Sequence, residues 1–417
     1  MFSRQRFSLQ VSVWTMSAFG NLSPQVLYTV AMKKSWKTKL IHGDSHAPEG
    51  FRSLVTPTYR GSTVLFPDAE SVTDQWDQHR VGYTYGLYGT PTTLELAARV
   101  CELEDGEHTI ITAGGQGAIS LIQLSLLNAG DHILIPENIY GPNRKLAYSV
   151  LKRFGVEVTV YPPLIGAGIA ELIKDNTRLV WCESPGSLTM EVQDVPAIAK
   201  AAHARGALVV LDNTWSSGIF FRAFDHGVDV EMQALTKYVA GHSDVLLGAI
   251  TIRDRAIYEK LGNTYQVLGC APSPDDCQLA LRGMKTLGVR LAQIGSSALR
   301  VAQWLAARPE IETVLHPALP SCPGHEFWER DFTGSAGLFS IVFKSGPTKQ
   351  QVQAFVNALE LFEIGYSWGG VASLAVNYDL SHAKGRSEYG HRIVRLYIGL
   401  EEPEELIADL EQALGKI

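Results

Sequence analysis

The sequence predicts an α/β protein: a mostly parallel central sheet flanked by helices, followed by a smaller C-terminal α+β domain. Three observations carry that expectation. Short apolar runs, LVWC at 179–182 and LVVL at 208–211, alternate with helical stretches. Strands buried on both faces read this way, and helices between them imply parallel crossovers. At 417 residues the chain exceeds one ordinary core and calls for two or three domains. After Gly283 the alternation gives way to a long amphipathic helix and isolated strands.

In chain order, residues 1–31 carry Arg4, Arg6 and several serines, with no acidic residue before Asp44. Either an organelle transit peptide or an over-extended start, with Met32 opening the chain, fits that composition. The absence of an Arg-studded amphipathic face in VSVWTMSAFG favours the over-extended start. Residues 32–89, punctuated by Pro57, Gly61, Pro67 and Gly82, read as an arm rather than a core. Residues 90–284 read as the main domain, with a helix at 92–103 and a strand at 108–112 that opens on Gly114-Gly115-Gln116-Gly117. Further strands are expected at 132–135, 156–160, 179–182 and 208–211, with a helix at 195–205. Residues 285–417 form the second domain, with helices at 286–307, 348–358 and 404–414 and strands at 337–343 and 393–398.

Composition narrows the function. Hydrophobic content of 46% with 19% charged residues is that of a soluble globular protein. A net charge of −7 gives no basis for nucleic acid or an anionic membrane as partner. Five scattered cysteines (Cys101, Cys182, Cys270, Cys277, Cys322) without a C-x-x-C pair indicate a reducing, cytoplasmic setting and no metal site. The uncharged stretch 109–130 is long enough to cross a bilayer. Its glycines, with Gln116, Gln123 and Asn128, make it a buried glycine turn and a core helix instead.

Ligands of an open parallel sheet gather at the carboxyl ends of its strands, and three features fall at such ends. The Gly114–Gly117 turn before a helix presents free N–H groups suited to a phosphate. Asp212 follows an apolar strand in LVVLDNTWSSG. Lys237, in QALTKYVAGHSD, lies among few charges, and a desolvated amine becomes a nucleophile toward carbonyls. Each feature alone has an ordinary structural reading: a turn, a helix cap, a surface lysine. Together they compose a site for pyridoxal 5'-phosphate, in which the lysine takes the aldehyde as a Schiff base, the acid holds the pyridine nitrogen protonated and the turn takes the phosphate.

The ordered motifs YGLYGTPTTLE at Tyr85, ESPGSLTMEVQDVPAI at Glu183, DNTWSSGIFF at Asp212 and TKYVAGHSDVLLG at Thr236 carry a resemblance. HPALPSCPGHEFWERDFTGSAGLFS at His316, YSWGG at Tyr366 and RLYIGLE at Arg395 extend it. From about residue 39 to the C-terminus the chain resembles the bacterial cystathionine β-lyases, of the Cys/Met-metabolism family of fold type I pyridoxal phosphate enzymes. The resemblance implies that Lys237 is the Schiff-base lysine and the proton shuttle, and that Asp212 partners the ring nitrogen. It implies that Tyr140 stacks on the cofactor ring, with Gly115, Gln116 and Thr236 at the phosphate. Tyr85 is expected to reach the phosphate of a neighbouring subunit, making the arm part of a homo-oligomer, a tetramer built from dimers. Arg395 is expected to clamp the substrate α-carboxylate, with Ser367 and Trp368 lining the pocket.

The implied reaction is β-elimination of L-cystathionine to homocysteine, pyruvate and ammonia, a transsulfuration step of methionine biosynthesis. Ala234, at a position often serine in γ-type enzymes such as cystathionine γ-synthase, favours the β-lyase. One departure stands out. Where the bacterial lyases read YGRRGTPT, this chain reads YGLYGTPT, so Leu87 and Tyr88 replace two arginines implied to reach the phosphate and the substrate's distal carboxylate. Tyr88 can donate one neutral hydrogen bond there. Otherwise Arg60 or Lys285 holds that carboxylate, or the substrate lacks it, as cysteine and other S-conjugates do.

Overall fold

The computed structural model describes residues 35–41 and 53–417. The expectation for residues 1–31 lies outside the described residues.

The large sheet contains β1 (His108–Thr112), β2 (His132–Pro136), β3 (Glu157–Tyr161), β4 (Thr177–Glu183), β5 (Leu208–Asp212), β6 (Val230–Gln233) and β7 (Gly248–Ile252). Their spatial order is β1-β7-β6-β5-β4-β2-β3. The pairs β2–β3, β2–β4, β4–β5 and β5–β6 are parallel, and only β7 runs against its neighbours β1 and β6. The expected mostly parallel sheet is therefore present, with one reversed strand inserted.

Alternate residues of these strands enter different cores, as the strand pleat requires. Ile133, Ile135, Leu179, Trp181, Val210 and Ile250 pack on one face with Ile119, Ile122 and Leu261. Leu134, Val180, Val209 and Leu211 pack on the other with Leu96, Val100 and Ile198. Both faces are covered, which explains the apolar runs. β6 (VEMQ) escaped the sequence reading because Glu231 and Gln233 interrupt its apolar run. Both are buried, and Asn213 bonds Glu231 at 2.7 Å.

The second sheet is antiparallel, in the order β10-β11-β9-β8, from β8 (Ile311–Leu315), β9 (Leu338–Phe343), β10 (Leu374–Tyr378) and β11 (Ile393–Tyr397). β9 and β11 were expected; β8 and β10 were not. The helices Lys349–Asn357 and Pro403–Leu414 cover one face through Phe355, Leu406 and Leu410. The opposite face sends Leu338, Val342, Ile393 and Tyr397 into the cluster that holds Tyr238, Val239 and Leu291. The lysine segment is thus packed from both sheets.

The helix expected from residue 286 begins at Pro274 and runs to Ala306, crossing the expected division between 284 and 285. Its start carries full helix-entry chemistry: Ser273 accepts from Asp275 N, Pro274 opens the first turn, and Asp275 and Asp276 face the positive end of the helix dipole. The helix in the uncharged stretch, Gly115–Leu126, has 12 residues, too few to span a bilayer core. Among the described residues no helix is long and apolar enough to cross a membrane.

Candidate active site

Because β7 alone is reversed, β1, β2, β4, β5 and β6 all end at one edge of the sheet. The glycine turn follows β1, Tyr140 follows β2, Glu183 ends β4, Asp212 ends β5 and Lys237 follows β6. The topology therefore brings together residues spread over more than a hundred positions.

Lys237 sits in a turn held from several sides. Its N–H donates to Ala234 O, and its carbonyl accepts from Gly241 N at 2.8 Å. The buried Arg290 donates to Tyr238 O and Gly283 O, each at 2.8 Å. Gly369 (φ +90°) lies so close that a Cβ there would stand 2.7 Å from Lys237 Cα. That approach places Ser367 and Trp368 over the amine. Lys237 Nζ donates to Ser367 Oγ at 2.6 Å and lies 5.3 Å from the Trp368 ring centroid. Ser367 holds a left-handed backbone (φ 75°), which a non-glycine residue rarely adopts. Its carbonyl accepts from Arg395 Nη2 at 3.2 Å. One serine thus touches both cations of the site.

The electrostatics suit a reactive amine. Burial, then the nearby charge of Arg395, lowers Lys237 from 10.5 to about 8, against the opposing pull of Asp212. Asp212 is raised by burial but moderated by Thr214, whose N–H and hydroxyl donate to Oδ1 at 3.1 and 2.5 Å. Among the described residues nothing hydrogen-bonds Oδ2. Burial lowers Arg395, which has no carboxylate partner among the described residues.

The glycine turn fits an anion. Helix Gly115–Leu126 begins with no side-chain cap and no acidic residue in its first turn, so its first N–H groups are open to a phosphate. A Cβ on Gly115 would meet Ala234 Cβ at 2.7 Å, so only glycine lets this turn approach the lysine segment. Thr236 behaves differently from the expectation of a phosphate donor. Its hydroxyl donates to Leu247 O at 3.1 Å and accepts from Leu247 N at 3.0 Å, closing the turn before the lysine. An amine, a free carboxylate oxygen, an uncapped helix start and the half-exposed Tyr140 ring together fit pyridoxal phosphate.

The arm residues lie elsewhere within the chain. Tyr85 is 44% exposed and stacks edge-on with Tyr88 at 6.0 Å. Tyr88 donates to Asp74 Oδ1 at 2.6 Å, and that bond, with burial, pushes its phenol up to about 12. Arg60 pairs with Asp275, its Nε donating to Oδ2 at 2.8 Å, and Lys285 Nζ donates to Leu54 O. The hydroxyl and both cations considered for a distal carboxylate are therefore engaged. Among the described residues no His, Cys, Asp and Glu cluster suits a metal ion.

Two neighbours were missed as site residues. Glu183 is buried at the strand position paired with Asp212, and its Oε2 accepts from Tyr140 N at 2.7 Å. Burial and the Asp212 charge hold it well above the usual carboxylate range. The signal that singled out Asp212, an acid directly after an apolar strand, was equally present at Glu183. Tyr378, 5.4 Å from the Arg395 guanidinium, gave no such signal.

Residues 37–415 match the model of a family described as Cys/Met metabolism PLP-dependent enzyme. The chain belongs to this family. A putative cystathionine β-lyase of Rhizobium johnstonii is 43% identical over 384 residues, 91% of this chain and 95% of that protein. The cystathionine β-lyase MetC of Escherichia coli is 37% identical over 92% of this chain and 99% of its own. The crystal structure of metB from Corynebacterium glutamicum superposes with a TM-score of 0.84 at 31% identity, covering 92% of this chain and 98% of that one. Family membership makes this chain a pyridoxal phosphate-dependent enzyme, and the lysine, carboxylate and glycine turn described above are where that cofactor fits.

Proposed function

We propose that this enzyme catalyses β-elimination at a carbon–sulfur bond, cleaving L-cystathionine, with uptake of one water in the hydrolysis that follows elimination, to homocysteine, pyruvate and ammonia. The observation that carries the reading is the Lys237–Ser367–Arg395 arrangement, an amine lowered to about 8 next to a guanidinium that has no carboxylate partner among the described residues. A desolvated, unpaired guanidinium is costly unless a ligand neutralises it, and its planar fork matches an amino-acid α-carboxylate. Pyridoxal phosphate supplies an aldehyde for amines and a ring that withdraws the electrons left at Cα.

The chain's own groups do the rest. Lys237 Nζ, neutral above about pH 8, removes the Cα proton as general base and returns a proton to the departing sulfur as general acid. Ser367 Oγ aims that amine, while Arg395 fixes the amino acid so that the reacting bonds are presented to it. Asp212, as carboxylate, would stabilise a protonated ring nitrogen. Gly115 and Gln116 would hold the phosphate through backbone N–H groups at the uncapped helix start, with Thr236 shaping the adjoining turn.

A second reading rests on the arm. With Leu87 uncharged, Tyr88 on Asp74, Arg60 on Asp275 and Lys285 on Leu54, cysteine or S-conjugates without a distal carboxylate are the alternative substrates. We assign the enzyme to methionine biosynthesis in the cytoplasm, as a homotetramer of dimers in which Tyr85 serves a neighbouring site.

The test incubates purified enzyme with cystathionine, cysteine and S-alkyl cysteines while following pyruvate and 2-oxobutyrate. Pyruvate is expected; 2-oxobutyrate without pyruvate sinks the reading. Lys237→Ala should retain the fold and lose turnover, and an active variant overturns the lysine assignment.

A further inference from the structure

Arg395 is restrained on two sides. Its Nη2 is bound to Ser367 O at 3.2 Å, and its guanidinium carbon lies 5.4 Å from the centroid of the Tyr378 ring. The register explains the second contact. In the antiparallel β10–β11 pair, Val376 faces Arg395 and Tyr378 faces Ile393, so Tyr378 and Arg395 stand on one sheet face, one diagonal step apart. Long and aromatic side chains reach each other across that step.

The ring is itself fixed. Tyr378 ends its strand and packs against the main core cluster. The neighbouring Asn377 amide donates to His391 O and Ile393 O, each at 2.9 Å, pinning the strand end to its partner. Tyr140 and Tyr366 also lie within electrostatic range of Arg395, but both are more open, Tyr366 being 81% exposed. Tyr378 is thus the held surface on which the guanidinium lies. A ring face attracts a cation through its quadrupole, and the attraction grows with desolvation. A leucine of similar bulk would fill the space without that attraction.

We propose that Tyr378 is a specificity-determining positioning residue, whose ring face holds Arg395 in the orientation that captures an α-carboxylate by two hydrogen bonds and so selects free amino acids over their amides. This rests on the reading of Arg395 as the carboxylate clamp. Arg395 has several donors and a long flexible stem. Without the ring, Ser367 O alone would restrain it, and the fork would lose orientation more than charge. The proposal therefore predicts weaker ligand capture with little effect on the chemical step.

The experiment uses the cofactor-loaded enzyme and Tyr378→Phe and Tyr378→Leu, with glycine and glycinamide as non-reacting probes titrated by the cofactor's visible absorbance. Tyr378→Leu should weaken glycine binding about five- to twenty-fold while glycinamide moves less than about two-fold. Tyr378→Phe, which keeps the ring face, should restore glycine binding to within about three-fold of the parent. In the elimination assay KM should rise for Tyr378→Leu with kcat retained. Unchanged glycine binding in Tyr378→Leu, an equal loss for glycinamide, or a Phe variant as weak as the Leu variant overturns the proposal. Arg395→Leu separates the levels. If it leaves the glycine preference intact, the clamp reading has failed, whereas failure of the β-lyase reading shows only in the products.

Discussion

Burial lowers Lys237 most and the Arg395 charge lowers it further, and that second contribution can be measured. Both side chains bind one residue, Lys237 through Ser367 Oγ at 2.6 Å and Arg395 through Ser367 O at 3.2 Å. The two charges are therefore on the order of 7 Å apart, worth ~2 kcal/mol at an effective dielectric of about 20, or ~1.5 pH units. Arg395 lowers Lys237, so Arg395→Gln should raise its midpoint from about 8 to roughly 9.5. Near about pH 7.5 the neutral amine would fall from roughly a quarter of the molecules to about one in a hundred. Aldehyde capture requires the neutral form. The rate at which cofactor-free protein takes up pyridoxal phosphate should then drop ~20-fold near neutral pH and recover toward about pH 10. Stopped-flow absorbance across that range reads the midpoint directly. Asp212→Asn removes the opposing charge and should shift the midpoint downward. An Arg395→Gln midpoint that stays put or falls would refute the reasoning.

Other consequences follow from particular contacts. Glu104 is buried and raised from 4.5 to about 7, chiefly by desolvation, while Gln233 and Thr251 oppose the rise through hydrogen bonds. Between those values the folded state holds a proton that the unfolded state has lost, so this carboxyl makes stability fall as pH rises through the window. Glu104→Gln should flatten the slope of urea midpoint against pH there; an unchanged slope would place its origin in other groups. Gly369→Ala puts a methyl group 2.7 Å from Lys237 Cα at φ +90°, and should cost about 2 kcal/mol or more in denaturant unfolding and weaken cofactor retention. Leu87→Arg should improve cystathionine turnover relative to cysteine by about ten-fold or more, the worth of one charge-assisted hydrogen bond. Competition kinetics that show no change would move distal recognition away from the arm.

Local patterning was enough for much of this molecule. β1 was legible to the residue and β2 to β5 to within two residues at each end; β2, β4 and β5 are buried on both faces and advertise themselves as apolar runs, whereas the edge strand β3 is mostly half-buried. Asp212 was legible as an acid directly after such a run, the glycine turn as a break opening a helix, and Lys237 as an amine among few charges; the remaining expected site residues came from the resemblance. What escaped depends on distant partners. β6 hides two buried polar side chains, one of them held by Asn213, and β7 is defined by antiparallel pairing with β6 and with the sequence-distant β1. Glu183 matters because it lies beside Asp212 and under Tyr140, and Tyr378 because a sheet register sets it against Arg395. Residue order alone sets which side chains can do this chemistry and the runs that become most of the strands. How those side chains act depends on the fold that brings them together. Burial and through-space charge are sums over elements that meet only on folding, and those sums bring Lys237 down to about 8 and leave Arg395 without a carboxylate partner among the described residues.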